Sequence, residues 1–192
     1  FITGAASTLL EDKIAPATRK DLTETVLTEA ALLNRLVRNL LDMARLEAGA
    51  VEVKKEWQPV EEAVGAALDR VESVVCAHRV KTVLPVDLPL VPYDSVLLQQ
   101  VLVNLLENAA KYSPDGSSVA LTLRVRAKEV EIAVRDEGVG LPAGEEARIF
   151  DRFYRVEARN RPIGSGIGLA IPRGFIEAHG GSIDARSNAG QG

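Results

Sequence analysis

Asn104-Leu105-Leu106-Glu107-Asn108-Ala109-Ala110-Lys111-Tyr112-Ser113 is the stretch that decides how this chain folds. It lies in a predicted helix that Asp94 caps and that ends before Ser113-Pro114. At about 100° per residue, its leucines face one side and Asn104, Asn108 and Lys111 face the other. Amide oxygens suit a hard cation and an ammonium group suits phosphate. The row therefore indicates a ligand site, with an ordinary solvated helix face as the alternative.

A second segment, Asp136-Glu137-Gly138-Val139-Gly140, follows a predicted strand. Asp136 continues the alternation of Val130, Ile132 and Val134, so a strand that keeps its register turns this carboxylate toward the buried side. The exocyclic amine of adenine is a suitable donor for it, and Gly138 and Gly140 let the backbone pass close to a flat ring. A plain turn after a strand has the same pattern.

A third segment, Gly164-Ser165-Gly166-Ile167-Gly168-Leu169-Ala170, opens into a predicted helix at residues 169–179. Successive glycines let backbone amides point at an anion, and the helix N-terminus adds partial positive charge. A flexible linker is the alternative. The segment lacks the Gly-Lys-Ser/Thr of a Walker A loop, and no strand directly precedes it as in a Rossmann turn. If it binds phosphate, it does so as a lid.

Upstream, residues 17–47 contain no Gly or Pro and carry a heptad stripe of apolar residues, which predicts one long bundle helix. Gly49 is the predicted stop, so we divide the chain into residues 1–49 and 50–192. Apart from the helices already described, the patterns predict strands at 51–57, 79–84, 119–125, 130–134 and 182–186, and a helix at 59–77.

The composition excludes several classes of function. The net charge of −4 and the scattered arginines give no basic surface for nucleic acid. Cys76 is the only cysteine, so neither an internal disulfide nor a cysteine metal site can form. No apolar run approaches the roughly 20 residues that span a bilayer. The first residues, Phe1-Ile2, begin within an apolar pattern, and we expect a fragment of a longer protein.

In this order and at these separations, the segments resemble the four sequence boxes of sensor histidine kinases. Residues 104–113 resemble the N-box, 136–140 the G1-box, 149–156 the F-box and 164–170 the G2-box, while residues 40–49 look like the end of the second dimerisation helix. Finer similarity at residues 4–7, 78–80 and 88–92 is to the KdpD potassium-sensing subfamily.

The resemblance implies an α+β fold, a two-layer α/β sandwich of the GHKL (Bergerat) ATPase type. An incomplete antiparallel helical hairpin, part of a four-helix-bundle dimerisation domain, would precede it. The catalytic domain would be truncated at its last strand.

The resemblance also implies ATP and Mg²⁺ as cofactors and assigns roles to residues. Asn108 would coordinate Mg²⁺ with Asn104 near it, Lys111 and Arg155 would contact phosphates, and Asp136 would take the adenine amine. The remaining expected nucleotide-site residues are Tyr112, Gly138, Gly140, Gly164, Gly166, Gly168 and Leu169.

Two further expectations concern the lid. We expect Phe150 and Phe153 to pack the lid against the core. Pro172, near the start of the last helix, departs from the family pattern and predicts that this helix starts later or kinks.

The implied activity is transfer of the ATP γ-phosphate to a histidine of the dimerisation domain, for relay to a response regulator. Gyrase-type and Hsp90-type hydrolases have a Glu where this chain has Asn104, which favours transfer over hydrolysis. Neither His78 nor His179 stands in a His-Glu/Asp-x-x-Pro setting, so we expect the phosphoacceptor to be missing. The alternatives are a nucleotide-binding dimerisation module without turnover and a GHKL-type ATPase.

As partners we expect a second copy through the helical domain and a cognate response regulator, but no nucleic acid. The location implied is the cytoplasmic portion of a membrane-bound sensor kinase, attached to the membrane only through segments absent from this chain.

Overall fold

A computed structural model describes residues 2–11, 14–127, 129–156 and 168–187. The chain divides into two compact units, Phe1–Arg45 and Leu46–Gly192, a few residues before the boundary predicted at Gly49.

The first unit is helical. Helix α1 spans Ile2–Leu9 and helix α2 spans Pro16–Glu47, whose last two residues belong to the second unit. Pro16 suits the first turn because a proline lacks only an N–H that has no helical partner there. Gly49 has a φ of +61°, which confirms the predicted helix stop. Much of the predicted apolar stripe of α2 is exposed in the single chain, at Leu33, Leu36, Val37 and Leu40.

The second unit mixes helices and strands. Its elements are β1 (Glu56–Gln58), α3 (Val60–Val75), β2 (Arg79–Val83), β3 (Val91–Tyr93), α4 (Ser95–Tyr112), β4 (Ser118–Arg126), β5 (Glu129–Arg135), a 3₁₀ helix (Arg148–Phe150) and α5 (Ala170–Ala178). Strand β4 lies between β2, which is parallel to it, and β5, which is antiparallel. Strands β1 and β3 form a separate antiparallel pair.

The core of this unit lies between helices α3 and α4 and the sheet. Val119, Leu121 and Leu123 alternate along β4 and are at most 2% exposed, so one face of the strand is buried as predicted. Against them pack residues of α3 and α4, among them Val64 and Leu106. Burying this apolar surface holds helices on one face of the sheet and confirms the α+β fold, with a helical region before it.

Of the predicted strands, one is shorter than expected and one does not form. The strand predicted at 51–57 forms only at β1, because its partner β3 is three residues long and ends where Asp94 caps α4. Residues 182–186 have an alternating pattern but no strand pairing, so they form no regular strand. An alternating pattern shows that a segment has two different faces, but a β-strand also needs a neighbouring strand with which its backbone forms hydrogen bonds.

Pro172 neither delays nor kinks the last helix. Helix α5 begins at Ala170, and Pro172 lies fully buried in its first turn, where a missing amide leaves no hydrogen bond unmade.

Every helix in the described part of the chain is too short or too polar to cross a lipid bilayer.

Candidate functional site

Helix α4 provides the polar row that the sequence predicts. The Asp94 carboxylate caps it, with Oδ1 accepting from the amides of Val96 and Leu97 at 3.1 Å each. The leucine side of the helix is buried in the core, while Asn104, Asn108, Lys111 and Tyr112 are half-buried on its other faces. The helix is thus fixed by its apolar face and presents amide and ammonium groups away from the core.

The C-terminal end of α4 combines positive charge with an aromatic ring. Lys111 Nζ lies 5.2 Å from the centroid of the Tyr112 ring, within cation–π distance. Lys111 also stands in the last helical turn, where a cation interacts favourably with the free carbonyl groups. An ammonium group is therefore held beside a ring at this end of the helix.

The loop after β5 holds the predicted carboxylate. Asp136 follows the last residue of β5, Arg135, and is half-buried, as are Val130, Ile132 and Val134 on the same side of the strand. Its Oδ1 accepts from the Gly138 amide at 2.8 Å, a tight turn that fixes the side chain. The Asp136 carboxylate is thus oriented by its own loop.

Gly138 brings this loop against the end of α4. A Cβ built on this buried glycine would lie 2.6 Å from Asp136 Oδ1 and 2.7 Å from the carbonyl oxygen of Tyr112, closer than real side chains allow. Only glycine fits this approach. Gly140, with a φ of +66°, then turns the chain away.

Gly168 and Leu169 stand just before α5, close to the same helix. A Cβ built on Gly168 would lie 3.7 Å from Asn108 Nδ2 and 3.8 Å from Oδ1, which is ordinary contact distance. Leu169 is the residue before the first turn of α5. Gly164 and Gly166 lie outside the described residues. Gly168 therefore lies beside Asn108 of α4, and Gly138 lies beside Tyr112, one turn further along the same helix.

The segment predicted as the F-box forms a cluster of its own. The Tyr154 hydroxyl donates to Glu145, whose other oxygen lies 3.1 Å from Arg148 Nη1, and the Arg148 guanidinium lies 4.3 Å from the Tyr154 ring centroid. Arg155 follows this cluster and is exposed. Sequence reasoning missed Glu145 and Arg148, although their spacing of three residues was a signal for a local ion pair.

The two phenylalanines of this segment differ. Phe150 is buried in the 3₁₀ helix, as expected, but Phe153 is 65% exposed, so its predicted packing role is wrong. The 3₁₀ helix ends at Phe150, with Asp151 as its C-cap, and Phe153 has a φ of +59°, so the helical face that buries Phe150 does not continue to Phe153.

Glu137 is a residue whose role the sequence analysis missed. Its Oε2 accepts from the Ser118 amide at 2.9 Å, so the side chain ties the loop to the first residue of β4. The β4–β5 register, with Ala120 opposite Arg135, places Ser118 opposite Glu137. An acidic residue directly after a strand was the available signal.

Three segments distant in sequence thus meet along the last two turns of one helix, and at Gly138 the approach is too close for any residue but glycine. Together they define an α+β unit with a polar site built on helix α4. Residues 93–192 match the family described as "Histidine kinase-, DNA gyrase B-, and HSP90-like ATPase". The chain belongs to this family.

Among curated proteins, the chain is 37% identical to the sensor protein KdpD of Clostridium acetobutylicum over 190 residues, which cover 96% of this chain and 21% of that protein. It is 42% identical to the sensor protein KdpD of Escherichia coli (strain K12) over 151 residues, covering 79% of this chain and 17% of that protein. The chain therefore spans about a fifth of the length of these relatives, and the predicted resemblance to KdpD-type sensor histidine kinases is confirmed.

Among solved structures, the crystal structure of full-length ShkA in complex with AMPPNP superposes with a TM-score of 0.78 at 27% identity. The superposition covers 97% of this chain and 40% of ShkA, so it includes both the helical and the α+β unit.

Proposed function

We propose that this chain is the ATP-binding catalytic part of a sensor histidine kinase, which transfers the γ-phosphate of ATP to a histidine of the dimerisation domain. The observation that carries the proposal is the meeting of Asn108 with Gly168 and of Tyr112 with Gly138 on adjoining turns of α4. One nucleotide could contact both places, since they are one helical turn, about 5–6 Å, apart along the axis.

Asp136 is the proposed acceptor for the adenine amine. One of its oxygens accepts from the Gly138 amide, and a carboxylate has further lone pairs for an exocyclic amine. The same bond fixes the carboxylate before a ligand arrives, which lowers the entropic cost of binding. Gly138 and Gly140 would let the ring approach the backbone, and Tyr112 would line the site.

The phosphates are proposed to lie toward Asn108, Lys111 and Arg155. Lys111 and Arg155 would neutralise phosphate charge, and the segment containing Gly164, Gly166, Gly168 and Leu169 would cover the phosphates with backbone amides. The exposure of Arg155 supports a ligand-binding role over a core-packing one.

Asn108, with Asn104 one turn before it, is proposed to hold Mg²⁺. The half-buried amides offer hard oxygen donors beside a glycine that leaves room, so the residues fit the ion. Within the described residues, no cluster of three His, Cys, Asp or Glu side chains could hold a metal by itself. Phosphate oxygens would complete the coordination, as is usual for Mg²⁺ with nucleotides, and the ion would neutralise charge on the transferred group.

Phosphoryl transfer is favoured over hydrolysis because Asn104 occupies the position from which a carboxylate would activate water. An amide cannot usefully accept a proton. The residues would therefore orient ATP and stabilise charge, which is most of what phosphoryl transfer requires of a protein.

The assembly proposed is a homodimer through the helical domain, assigned to residues 1–49 and followed by the catalytic domain at 50–192. The exposed leucines along α2 are a surface that a four-helix bundle would bury. A response regulator would receive the phosphate, and membrane attachment would come from other parts of the protein.

Calorimetric titration with Mg²⁺ and AMPPNP, a non-hydrolysable ATP analogue, tests the site. We expect Asp136→Asn and Asn108→Ala each to weaken binding at least about tenfold, since each removes a charged or metal-binding partner. Asp69→Asn, at an exposed position on α3, is the matched control and should bind like the unchanged chain. Equal affinity in all four proteins would refute the site.

Transfer is tested by adding a separate protein that carries a dimerisation helix with a His-Glu/Asp-x-x-Pro histidine. Labelled phosphate on that histidine, dependent on Asn108, is the expected result. Binding without any labelling would favour the module without turnover, and steady phosphate release would favour an ATPase.

A further inference from the structure

His179, at the C-terminal end of α5, joins this helix to the start of α4. Its Nε2 lies 3.0 Å from the backbone nitrogen of Asp94, and its Nδ1 lies 2.7 Å from the carbonyl oxygen of Phe175. A backbone N–H can only donate, so Nε2 accepts and carries no proton. Nδ1 must then donate to Phe175. Both contacts together require a neutral ring protonated at Nδ1.

The end of α5 does not need this ring as a cap. The Gly180 amide donates to the Glu177 carbonyl at 2.9 Å and the Gly181 amide to the Ile176 carbonyl at 3.0 Å, a Schellman motif with Gly180 at a φ of +78°. Lys55 Nζ also donates to the His179 carbonyl at 2.8 Å. The carbonyl groups of Ile176, Glu177 and His179 thus accept from other atoms, so the reach of the ring to Asp94 has a separate effect.

That effect is to fix α5 along α4. His179 meets Asp94 at the first turn of α4, and Gly168, before α5, meets Asn108 near the last turn. The two helices therefore run antiparallel, and the contacts stand about 20 Å apart along α4, at 1.5 Å per residue. One contact lies at the proposed nucleotide site and the other is the far anchor of the same helix pair.

We infer that His179 is a positioning residue for the nucleotide site, holding α5 on α4 so that Gly168 is presented to Asn108. The inference rests on the proposed function, because Asn108 and Gly168 are the groups that would face the phosphates. Asp94 takes part in both helices' contacts. Its carboxylate accepts from the amides of Val96, Leu97 and Lys54, and its backbone amide donates to His179 Nε2.

The test compares His179→Gln and His179→Ala by titration with Mg²⁺ and AMPPNP at pH 7.5, at a temperature where all proteins are folded. The glutamine Oε1 can accept from the Asp94 amide. We expect His179→Ala to bind about threefold to tenfold more weakly at pH 7.5, the worth of one hydrogen bond, and His179→Gln to bind like the unchanged chain.

Rescue by glutamine separates a positioning role from a general loss of stability. Val71→Ala, in the core on α3, is the control: it lowers the melting temperature without touching the anchor and should leave affinity unchanged. Equal affinity for His179→Ala and the unchanged chain, or a His179→Gln variant that binds as weakly as His179→Ala, would overturn the inference.

Nitrogen NMR of the ring tests the anchor without any nucleotide. Protonation at Nδ1 and a protected Asp94 amide that becomes exchangeable in His179→Ala are expected. A ring protonated at Nε2 would overturn the inference even if ATP binds. If the unchanged chain binds no nucleotide, the proposed function fails, and the inference about positioning the site falls with it whatever the ring spectrum shows.

Discussion

Replacing Gly138 with alanine tests the closest approach in the site. The added Cβ would lie 2.6 Å from Asp136 Oδ1 and 2.7 Å from the Tyr112 carbonyl oxygen, whereas real Cβ atoms essentially never come within 3.0 Å, so these atoms must retreat by at least 0.4 and 0.3 Å. Asp136 Oδ1 is also the acceptor for the Gly138 amide at 2.8 Å, so its retreat strains that bond.

The magnitude follows from the cost of overpacking. One forced methyl group in a packed site costs about 1–3 kcal/mol. For a unit of this size, each kcal/mol lowers the melting temperature by about 4 °C, so a decrease of about 4–12 °C is expected. Displacing Asp136 should also weaken nucleotide binding at least about tenfold, the equivalent of about 1.4 kcal/mol.

The assays are thermal unfolding and calorimetric titration with Mg²⁺ and AMPPNP. Gly65→Ala is the matched control, because nothing lies within 4 Å of a Cβ built there and the position is inside α3. That control should raise stability by up to about 1 kcal/mol through helix propensity and leave affinity unchanged. If Gly138→Ala melts and binds like the unchanged chain, the packing of this loop against α4 is refuted.

Three further substitutions test other parts of the account. Glu137→Ala leaves the Ser118 amide without its side-chain acceptor and should lower the free energy of unfolding, measured in urea, by about 0.5–1.5 kcal/mol. Glu137→Gln should lower it less, because the glutamine oxygen can still accept. Equal losses in the two variants would contradict the role of Glu137 as the acceptor. Burial, followed by the charges of Glu62 and Glu61, raises the pKa of Tyr93 in the folded protein. The unfolded tyrosine therefore ionises first, and the free energy of unfolding should fall above about pH 10. Tyr93→Phe should lack this alkaline loss, and a Tyr93→Phe variant with the same pH dependence as the unchanged chain would contradict the prediction. Asn104→Glu should increase phosphate release from ATP relative to Asn104→Gln, and no difference would argue against position 104 as the one that separates transfer from hydrolysis.

Much of the site was predictable from the sequence because its signals are local. Asp94 caps α4 through its own next residues, and the helix period alone sorts buried leucines from the polar row with Asn104 and Asn108. The glycines at 138 and 168 were identified by pattern: Gly138 stands at a close approach to the end of α4, and Gly168 lies beside Asn108 at ordinary contact distance. Short-range rules therefore gave the helix, its faces and the loops.

The parts that were wrong depend on pairing and on distant contacts. The alternation at 51–57 gave no information on the length of its partner, and the segment 182–186 found no strand partner. The residue that follows this segment, Ser187, is held by a side-chain hydrogen bond rather than by strand pairing, because its Oγ accepts from the Leu141 amide at 2.7 Å. The left-handed backbone at Phe153 was not indicated by the sequence around it, and it accompanies the exposure of this side chain.

The anchor between His179 and Asp94 shows the same limit most clearly. Its two residues are 85 positions apart, and each also has a contact within its own segment: Asp94 caps α4, and the His179 ring contacts the Phe175 carbonyl of α5. A sequence pattern assigns each to its own helix end. Only the packing of α5 along α4 joins them.

The most direct test of the central claim is a nitrogen–proton NMR titration of the chain with Mg²⁺ and AMPPNP. We expect the amides of Gly138 and Gly168 and the side-chain amide of Asn108 to shift together, with one dissociation constant, because one nucleotide would contact both turns of α4 in the proposed site. Shifts at only one of these places, or at none, would contradict the account.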